Sequence, residues 1–376
     1  MSTTMENIKI NRNDLVQVMY DGCVFAGKSK FIMPVLDNVC ITTKGNRIRI
    51  ESSDSNNHIR SYGFCETTSD MSFCVNANGF SSYIGLLNEE YITMNYDSEN
   101  NQLIIKHANG EINMPTTNAS EFPAMRPMKQ ANKIELSGEV LSEWLTTAGN
   151  FAMKGTFGVV LEGIYIYANP EFIGVCGGEH SQIFTARIPN TNNIPDFGIV
   201  LPKDGASIMA RICATSDKVT LMQDENAMYI STDNTIVCSL LLNLKYPNVS
   251  FLFNQTGKCH VTIEKSALLQ AVKRIESQTV RDNESIHMHC TGHSIELNYD
   301  VIAEYSKQLS ESVPCDGDAF DDVIVNLKRL RKVISNYGCD KVTFNHDNSE
   351  GSPFIFENKR DDSLELFLLA VMVNKH

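Results

Sequence analysis

Four stretches of the chain carry residue types at spacings that could do chemistry. Gly22-Cys23-Val24-Phe25-Ala26-Gly27-Lys28-Ser29 matches the pattern of a phosphate-cradling loop in full. That loop works only where a buried strand delivers it and a helix opens at its Lys-Ser, so that amides and helix dipole converge on the phosphates. Here a helical pattern precedes the loop, and Pro34 falls where a second helical turn would need a donor. The expectation is a helix-to-strand loop carrying two lysines, Lys28 and Lys30, and not a nucleotide hydrolase. His287, His289, Cys290 and His293 resemble a metal cluster. On a strand His287 and His289 share one face while Cys290 points to the other, so at most three of the four converge. A half-exposed strand entering the Thr291-Gly292 turn accounts for them equally well. Gly177-Gly178-Glu179-His180-Ser181 lacks the Gly-x-Ser-x-Gly spacing of a nucleophile elbow. No carboxylate pair falls in a catalytic frame. The chain is expected to be neither an enzyme nor dependent on a cofactor.

The fourth feature is charge on helices. Over 265–281, Leu268, Val272 and Ile275 form an apolar stripe, and Lys273, Arg274 and Arg281 fall opposite it. Over 326–337 the stripe is Leu327, Leu330, Val333 and Ile334, with Lys328, Arg329, Arg331 and Lys332 on the other side. The helix after Val200 buries Ile208, Met209 and Ile212 and is expected to expose Lys203 and Arg211. A solvated helix face normally mixes both signs. In the helices over 265–281 and 326–337 bases outnumber acids, which points to a surface facing phosphates. This basicity is local, because the chain carries a net charge of −13. The charge divides as −4, −4 and −5 over 1–127, 128–255 and 256–376. A protein that coats nucleic acid with its whole surface is thereby disfavoured.

The elements that position these residues come in three rounds. Val75-Asn76-Ala77-Asn78, Val200-Leu201-Pro202-Lys203 and Val325-Asn326-Leu327-Lys328 recur 125 residues apart, twice. Glu121-Phe122-Pro123 and Lys245-Tyr246-Pro247 lie 124 apart. The openings Ile8-Lys9-Ile10, Ile134-Glu135-Leu136 and Val261-Thr262-Ile263 follow at 126 and 127. One period in three phases indicates three tandem domains, 1–127, 128–255 and 256–376. Each reads as two successive strand–helix–strand–strand–strand units. In the first copy the strands fall near Ile8–Ile10, 39–43, 47–52, 71–75, 91–96, 102–107 and 111–116, with Asn13 or Asp14 capping the first helix. Strand pairs are also expected at 218–222 with 228–232 and at 285–289 with 294–298. The fold class is α+β, with two helices per domain on one face of antiparallel sheet. Eleven cysteines without a Cys-x-x-Cys pair, set among apolar neighbours, read as reduced thiols in a cytoplasm. No apolar run approaches 18 residues, so no membrane partner is expected.

Three such copies with basic helices on an acidic body resemble the bacterial sliding clamps, the beta subunits of DNA polymerase III. The likeness covers essentially the whole chain. It is specific at Met33-Pro34-Val35-Leu36-Asp37-Asn38-Val39, at Ala119-Ser120-Glu121-Phe122-Pro123, at Lys245-Tyr246-Pro247 and at Ile263-Glu264-Lys265-Ser266-Ala267-Leu268. It implies a head-to-tail homodimeric ring with helices lining the hole and sheets outside. Double-stranded DNA would pass through without base readout, against Lys28, Lys30, Lys203, Arg211, Lys273, Arg274, Lys328, Arg331 and Lys332. The family also docks short peptides of the replicative polymerase and the clamp loader in a hydrophobic groove. The matching positions are Leu161, His180, Ile183, Pro247, Leu252, Leu368, Leu369, Ala370, Val371 and Met372. The chain departs from the family where Gly178-Glu179-His180-Ser181-Gln182-Ile183 replaces the usual Thr-Asp-Gly-His-Arg-Leu. It departs again where Ala370-Val371-Met372-Val373 replaces Met-Pro-Met-Arg. At the family's ring joint it places Ser277 and Gln278 where apolar residues are usual. A clamp-fold docking platform with secondary DNA contact is the alternative.

Overall fold

The computed structural model describes residues 6–28, 33–129, 132–153, 159–254, 257–279, 284–300, 308–349 and 351–372. These form two compact units. The first takes in the described residues up to Glu143 with Asp204–Leu242, and the second takes in Trp144–Lys203 with the described residues from Asn243 onward. The helices are α1 (Arg12–Gly22), α2 (Ala77–Leu86), α3 (Gly138–Phe151), the short α4 (Val159–Glu162), α5 (Lys203–Cys213), α6 (Lys265–Glu276) and α7 (Leu327–Asn336).

Thirteen strands of the first unit make one sheet. It runs from Asn132–Ser137 through Lys218–Gln223, Ala227–Ser231, Thr235–Leu240, Asn57–Phe64, Arg47–Ser53 and Asn38–Lys44. It continues through Met71–Asn76, Gly110–Asn118, Gln102–His107, Tyr91–Asp97 and Glu6–Asn11 to Glu66–Thr67. Every expected first-copy strand is present. The alternation that predicts them is visible in burial: Ile8, Ile10, Ile41, Ile48, Ile50, Phe73, Ile92, Met94, Leu103 and Ile105 all enter one core. Leu15, Val18 and Met19 of α1, and Phe80 and Ile84 of α2, close over it. The α1 cap differs from expectation. Asn11, not Asn13 or Asp14, supplies it, because its side-chain oxygen accepts the Asn13 amide at 2.9 Å.

Twelve strands of the second unit make the other sheet. Its order is Phe197–Leu201, Ile164–Ala168, Phe172–Glu179, Gln182–Pro189, Ser363–Leu369 and Phe354–Arg360. Lys341–His346, Cys259–Glu264, Gln308–Gly317, Ser294–Asp300, Ser285–Cys290 and Phe320–Asn326 follow. Phe151 of α3 meets Phe184 and Phe367 at ring distances of 6.2 and 5.6 Å. This aromatic layer fixes that helix end on the sheet. The pairings among named strands of both units are antiparallel, so the architecture is α+β, as expected. Eight of the eleven cysteines are buried and none is bridged. Burial pushes the Cys176 and Cys213 thiols up to about 12, which keeps them protonated.

Two strands keep an open side. Gly110–Asn118 pairs with Gln102–His107 through its first six residues and with Met71–Asn76 only through Thr116, Thr117 and Asn118. In the second unit Gln308–Gly317 pairs with Ser294–Asp300 from Gln308 to Pro314, and with Cys259–Glu264 only at its end. Residues 110–115 and 308–314 therefore each present one edge with no strand partner among the described residues.

Candidate nucleic-acid interface and partner groove

The helix pair α6–α7 is the basic feature of the second unit. Leu268, Ala271, Val272 and Ile275 of α6 are buried, as are Leu327, Leu330, Val333 and Ile334 of α7. The two helices pack side by side. Their polar faces carry seven bases, Lys265, Lys273, Arg274, Lys328, Arg329, Arg331 and Lys332, against one acid, Glu276. Helix α6 stops at Glu276, short of the expected 281, and Arg281 lies outside the described residues.

The bases are not equally available. Lys273 and Lys328 are exposed. Arg274 is exposed but forked onto Glu311 by bonds of 2.7 and 2.6 Å, which holds the Glu311 carboxyl below its usual range. Arg331 pairs with Glu276 at 3.1 Å, and Arg329 lies 3.8 Å from Glu179. Lys332 is half-buried, its ammonium 4.9 Å from the centre of the Phe151 ring. Glu276 lies on α6 and its partner Arg331 on α7, so their pairing crosses between helices. Glu311 comes from a strand 37 residues away, and nothing local announces it.

In the first unit the expectation for Arg211 needs correction. Its guanidinium does not stand on an open face. It lies 4.6 Å from the Tyr20 ring and donates to Asp21 Oδ1 and to the Tyr20 carbonyl at 3.4 Å. The cause is α1, whose last turn brings the Asp21 carboxylate to it. Lys203, in the first turn of α5, is half-buried as well. Lys28 is exposed and 5.1 Å from the Phe25 ring, while Lys30 lies outside the described residues. The phosphate-loop match does not cradle an anion. Helix α1 ends at Gly22, Phe25 is buried with its amide on Ser52 Oγ, and the Gly27 amide is taken by the Leu36 carbonyl. Ser29 lies outside the described residues.

No group of three or more metal-ligating side chains converges among the described residues. His287 instead faces Asp322, with Nδ1 2.5 Å from Oδ2. No helix among the described residues is long and apolar enough to cross a membrane.

The groove positions all fall in the second unit. Ile183 lies directly opposite Leu368, and the Ala370 amide donates to the Ser181 carbonyl at 2.9 Å. This brings the 180–183 turn and the C-terminal strand together. Past that strand, Met372 is exposed, and its amide donates to the Ile324 carbonyl at 2.8 Å. Leu161 is half-buried in α4, and its carbonyl accepts the Met153 amide. His180 and Pro247 are exposed, and Val371 is half-buried. Two positions depart from the groove surface. Leu369 is fully buried, because alternation turns it away from the face that Leu368 shares with Ile183. Leu252 is only 2% exposed, tucked under the turn of 250–254 that packs on the same strand. Its neighbour Phe251 is the exposed apolar residue there, and the sequence reading passes over it.

Comparison with known proteins agrees with this architecture. The family described as DNA polymerase III beta subunit, N-terminal domain, matches residues 6–126. A beta sliding clamp of Rickettsia bellii is 18% identical over 324 residues, 83% of this chain and 85% of that protein. One from Mycoplasma capricolum is 19% identical over 299 residues, 77% of each. Among solved structures, the C. crescentus beta sliding clamp superposes with a TM-score of 0.87 at 16% identity, covering 99% of this chain and 100% of that one. The beta subunit from DNA polymerase of Streptococcus pyogenes gives 0.88 at 15%, covering 98% and 100%. With the first third matching the family model, relatives aligned over most of the length and the fold shared end to end, the chain is similar to the bacterial DNA polymerase III beta subunits and shares their fold.

Proposed function

We propose that this protein is a DNA sliding clamp. Three tandem domains, 1–127, 128–255 and 256–376, make up each copy, and two copies close head to tail around duplex DNA. The basic faces of α6 and α7 look onto the phosphates, and the ring tethers the replicative polymerase and the clamp loader through short peptides docked around Ile183, Leu368 and Pro247. The role asks for no catalysis. It places the protein on the nucleoid in the cytoplasm.

One observation carries the DNA side of this reading. In a protein of net charge −13, two adjacent helices hold seven bases against one acid. Such a patch attracts phosphates while the acidic remainder repels them. Phosphate contacts without base contacts position DNA and leave it free to slide. The test is topological. After incubation with a clamp loader and ATP, the protein should be retained on circular duplex and lost when that duplex is linearised. Equal retention on both forms would mean ordinary surface binding.

A second reading has its own support. Arg211, Arg274 and Arg331 are already committed to Asp21, Glu311 and Glu276, which lowers the charge left for phosphates. A docking platform with secondary DNA contact would keep its function when Lys273, Arg274, Lys328 and Lys332 are all replaced by Ala.

A further inference from the structure

The sheet of the second unit carries an arginine that its surroundings hold in place but do not satisfy. On Gln182–Pro189, Phe184 points into the aromatic core, so Ile183, Thr185 and Arg187 share the opposite face. Register places Gly198, Tyr167, Gly174 and Arg187 in one row across four strands. The glycines make room for the tyrosines. A Cβ at 174 would come within 2.6 Å of the Tyr167 ring, and one at 198 within 2.6 Å of the Tyr165 hydroxyl. The segment after Lys245 then folds over this face. Tyr246 stacks on Tyr165 at 4.9 Å and 3°. Phe172 and Phe253 both lie over the Arg187 guanidinium, each ring centre at 3.8 Å. A cavity of about 420 Å³ remains between sheet and segment, lined by Arg187, Lys245 and the three tyrosines.

Arg187 makes no ion pair with any described residue, and its Nε–H finds no acceptor among them. Burial lowers its hold on its proton, so the site favours an incoming negative charge. Two rings pack on the guanidinium carbon, while its Nε–H remains without an acceptor among the described residues. A guanidinium edge matches a carboxylate through two parallel hydrogen bonds. Exposed Lys245 adds a second cation at the opening. Glu171, the acid nearest in charge, is exposed and unpaired with Arg187. Burial pushes the Tyr167 phenol up to about 12, so it enters as a neutral hydroxyl. We propose that this cavity is a binding site for a peptide carboxylate, with the Arg187 edge pairing the charge and the tyrosine rings covering the attached side chain. Pro247 of the proposed groove is in its wall, yet the site stands whether or not that groove takes a peptide.

The test uses the full-length protein and calorimetric titration with small probes. N-acetyl-phenylalanine presents a terminal carboxylate, the α-amide of N-acetyl-glutamic acid presents a side-chain carboxylate, and N-acetyl-phenylalanine amide carries no charge. At least one acid should bind about tenfold more tightly than the uncharged amide, the worth of one charge-assisted pair. Which acid binds identifies the source. Arg187→Met should erase that preference, and Arg187→Lys should lose most of it because the fork is gone. Lys245→Met leaves the stacked arginine in place and should weaken binding a few-fold, which guards against a folding artefact. Equal binding of acid and amide, binding of neither acid, or tighter binding of inorganic phosphate would overturn the assignment and leave Arg187 as a packing residue.

Discussion

Glu51 shows what a single buried charge does in this fold. It is 5% exposed, yet Arg49, Arg60 and His58 lie at 2.8, 2.6 and 3.2 Å from its carboxylate. Burial by itself would raise its pKa. Hydrogen bonds from His58 and Arg60 and the charges of Arg60 and Arg49 outweigh burial and hold the carboxyl at about 2. Because the folded value is depressed, the stabilisation is complete above the ordinary carboxylate range and is lost as pH falls from about 4.5 towards 2. A shift of that size corresponds to about 3 kcal/mol. Glu51→Gln should therefore lower the urea midpoint at pH 7, and its deficit against the parent should shrink as the pH is taken to 2. Gly177 makes a different residue-scale point. In the sequence it belongs to a glycine pair beside Glu-His-Ser that invites thoughts of chemistry. In the fold it is where a strand passes the backbone of α3: a Cβ there would sit 2.1 Å from the Ala148 carbonyl oxygen. Gly177→Ala should cost about 3 kcal/mol in a denaturant melt through overpacking, with no dependence on pH.

Helices and strands were legible because their periods are local. Leu327, Leu330, Val333 and Ile334 announce α7, and the alternation at Ile8, Ile10 and Ile41 announces strands. Which strands pair across long separations in the chain was not legible. Thr235–Leu240 joins Asn57–Phe64, and Gln182–Pro189 joins Ser363–Leu369. Period-two patterning says which face is buried and nothing about the distant neighbour at the edge. The same gap explains the basic helices. Their charges could be read, whereas the Glu311 that occupies Arg274 and the Asp21 that occupies Arg211 arrive from other elements. This division predicts unequal effects along one helix pair. Lys273→Ala should make the log–log dependence of duplex affinity on salt shallower by about 0.9, the contribution of one released phosphate contact. Arg274→Ala should change that slope less than Lys273→Ala does. Fluorescence anisotropy of a labelled duplex across a salt series measures both.

At the scale of the whole molecule, the open strand edges say how copies would meet. Exposed edges invite pairing with any other chain, and proteins that keep them usually restrict them. Here the open stretch 110–115 ends on Pro115 and the open stretch 308–314 ends on Pro314. Proline has no N–H to give a new neighbour, so each edge can be extended over a few residues only. One edge lies in each unit, which suits a heterologous joint made twice, and such joints close a ring when the rotation is right. The polar side chains Ser277 and Gln278 at the end of α6 are exposed. If they lie at the joint, as their match to the family's apolar joint residues suggests, they add little apolar burial, and the edge strands carry most of the association. Light scattering should then give about twice 42.0 kDa for the parent. Leu309, half-buried on the open stretch, is the point to strike. Leu309→Asp places a charge at the edge and should return the mass to that of one chain while the thermal melt of each protomer is retained. A parent that stays monomeric at every concentration, or a variant that still dimerises, would remove the edges from the joint and with them the closed ring.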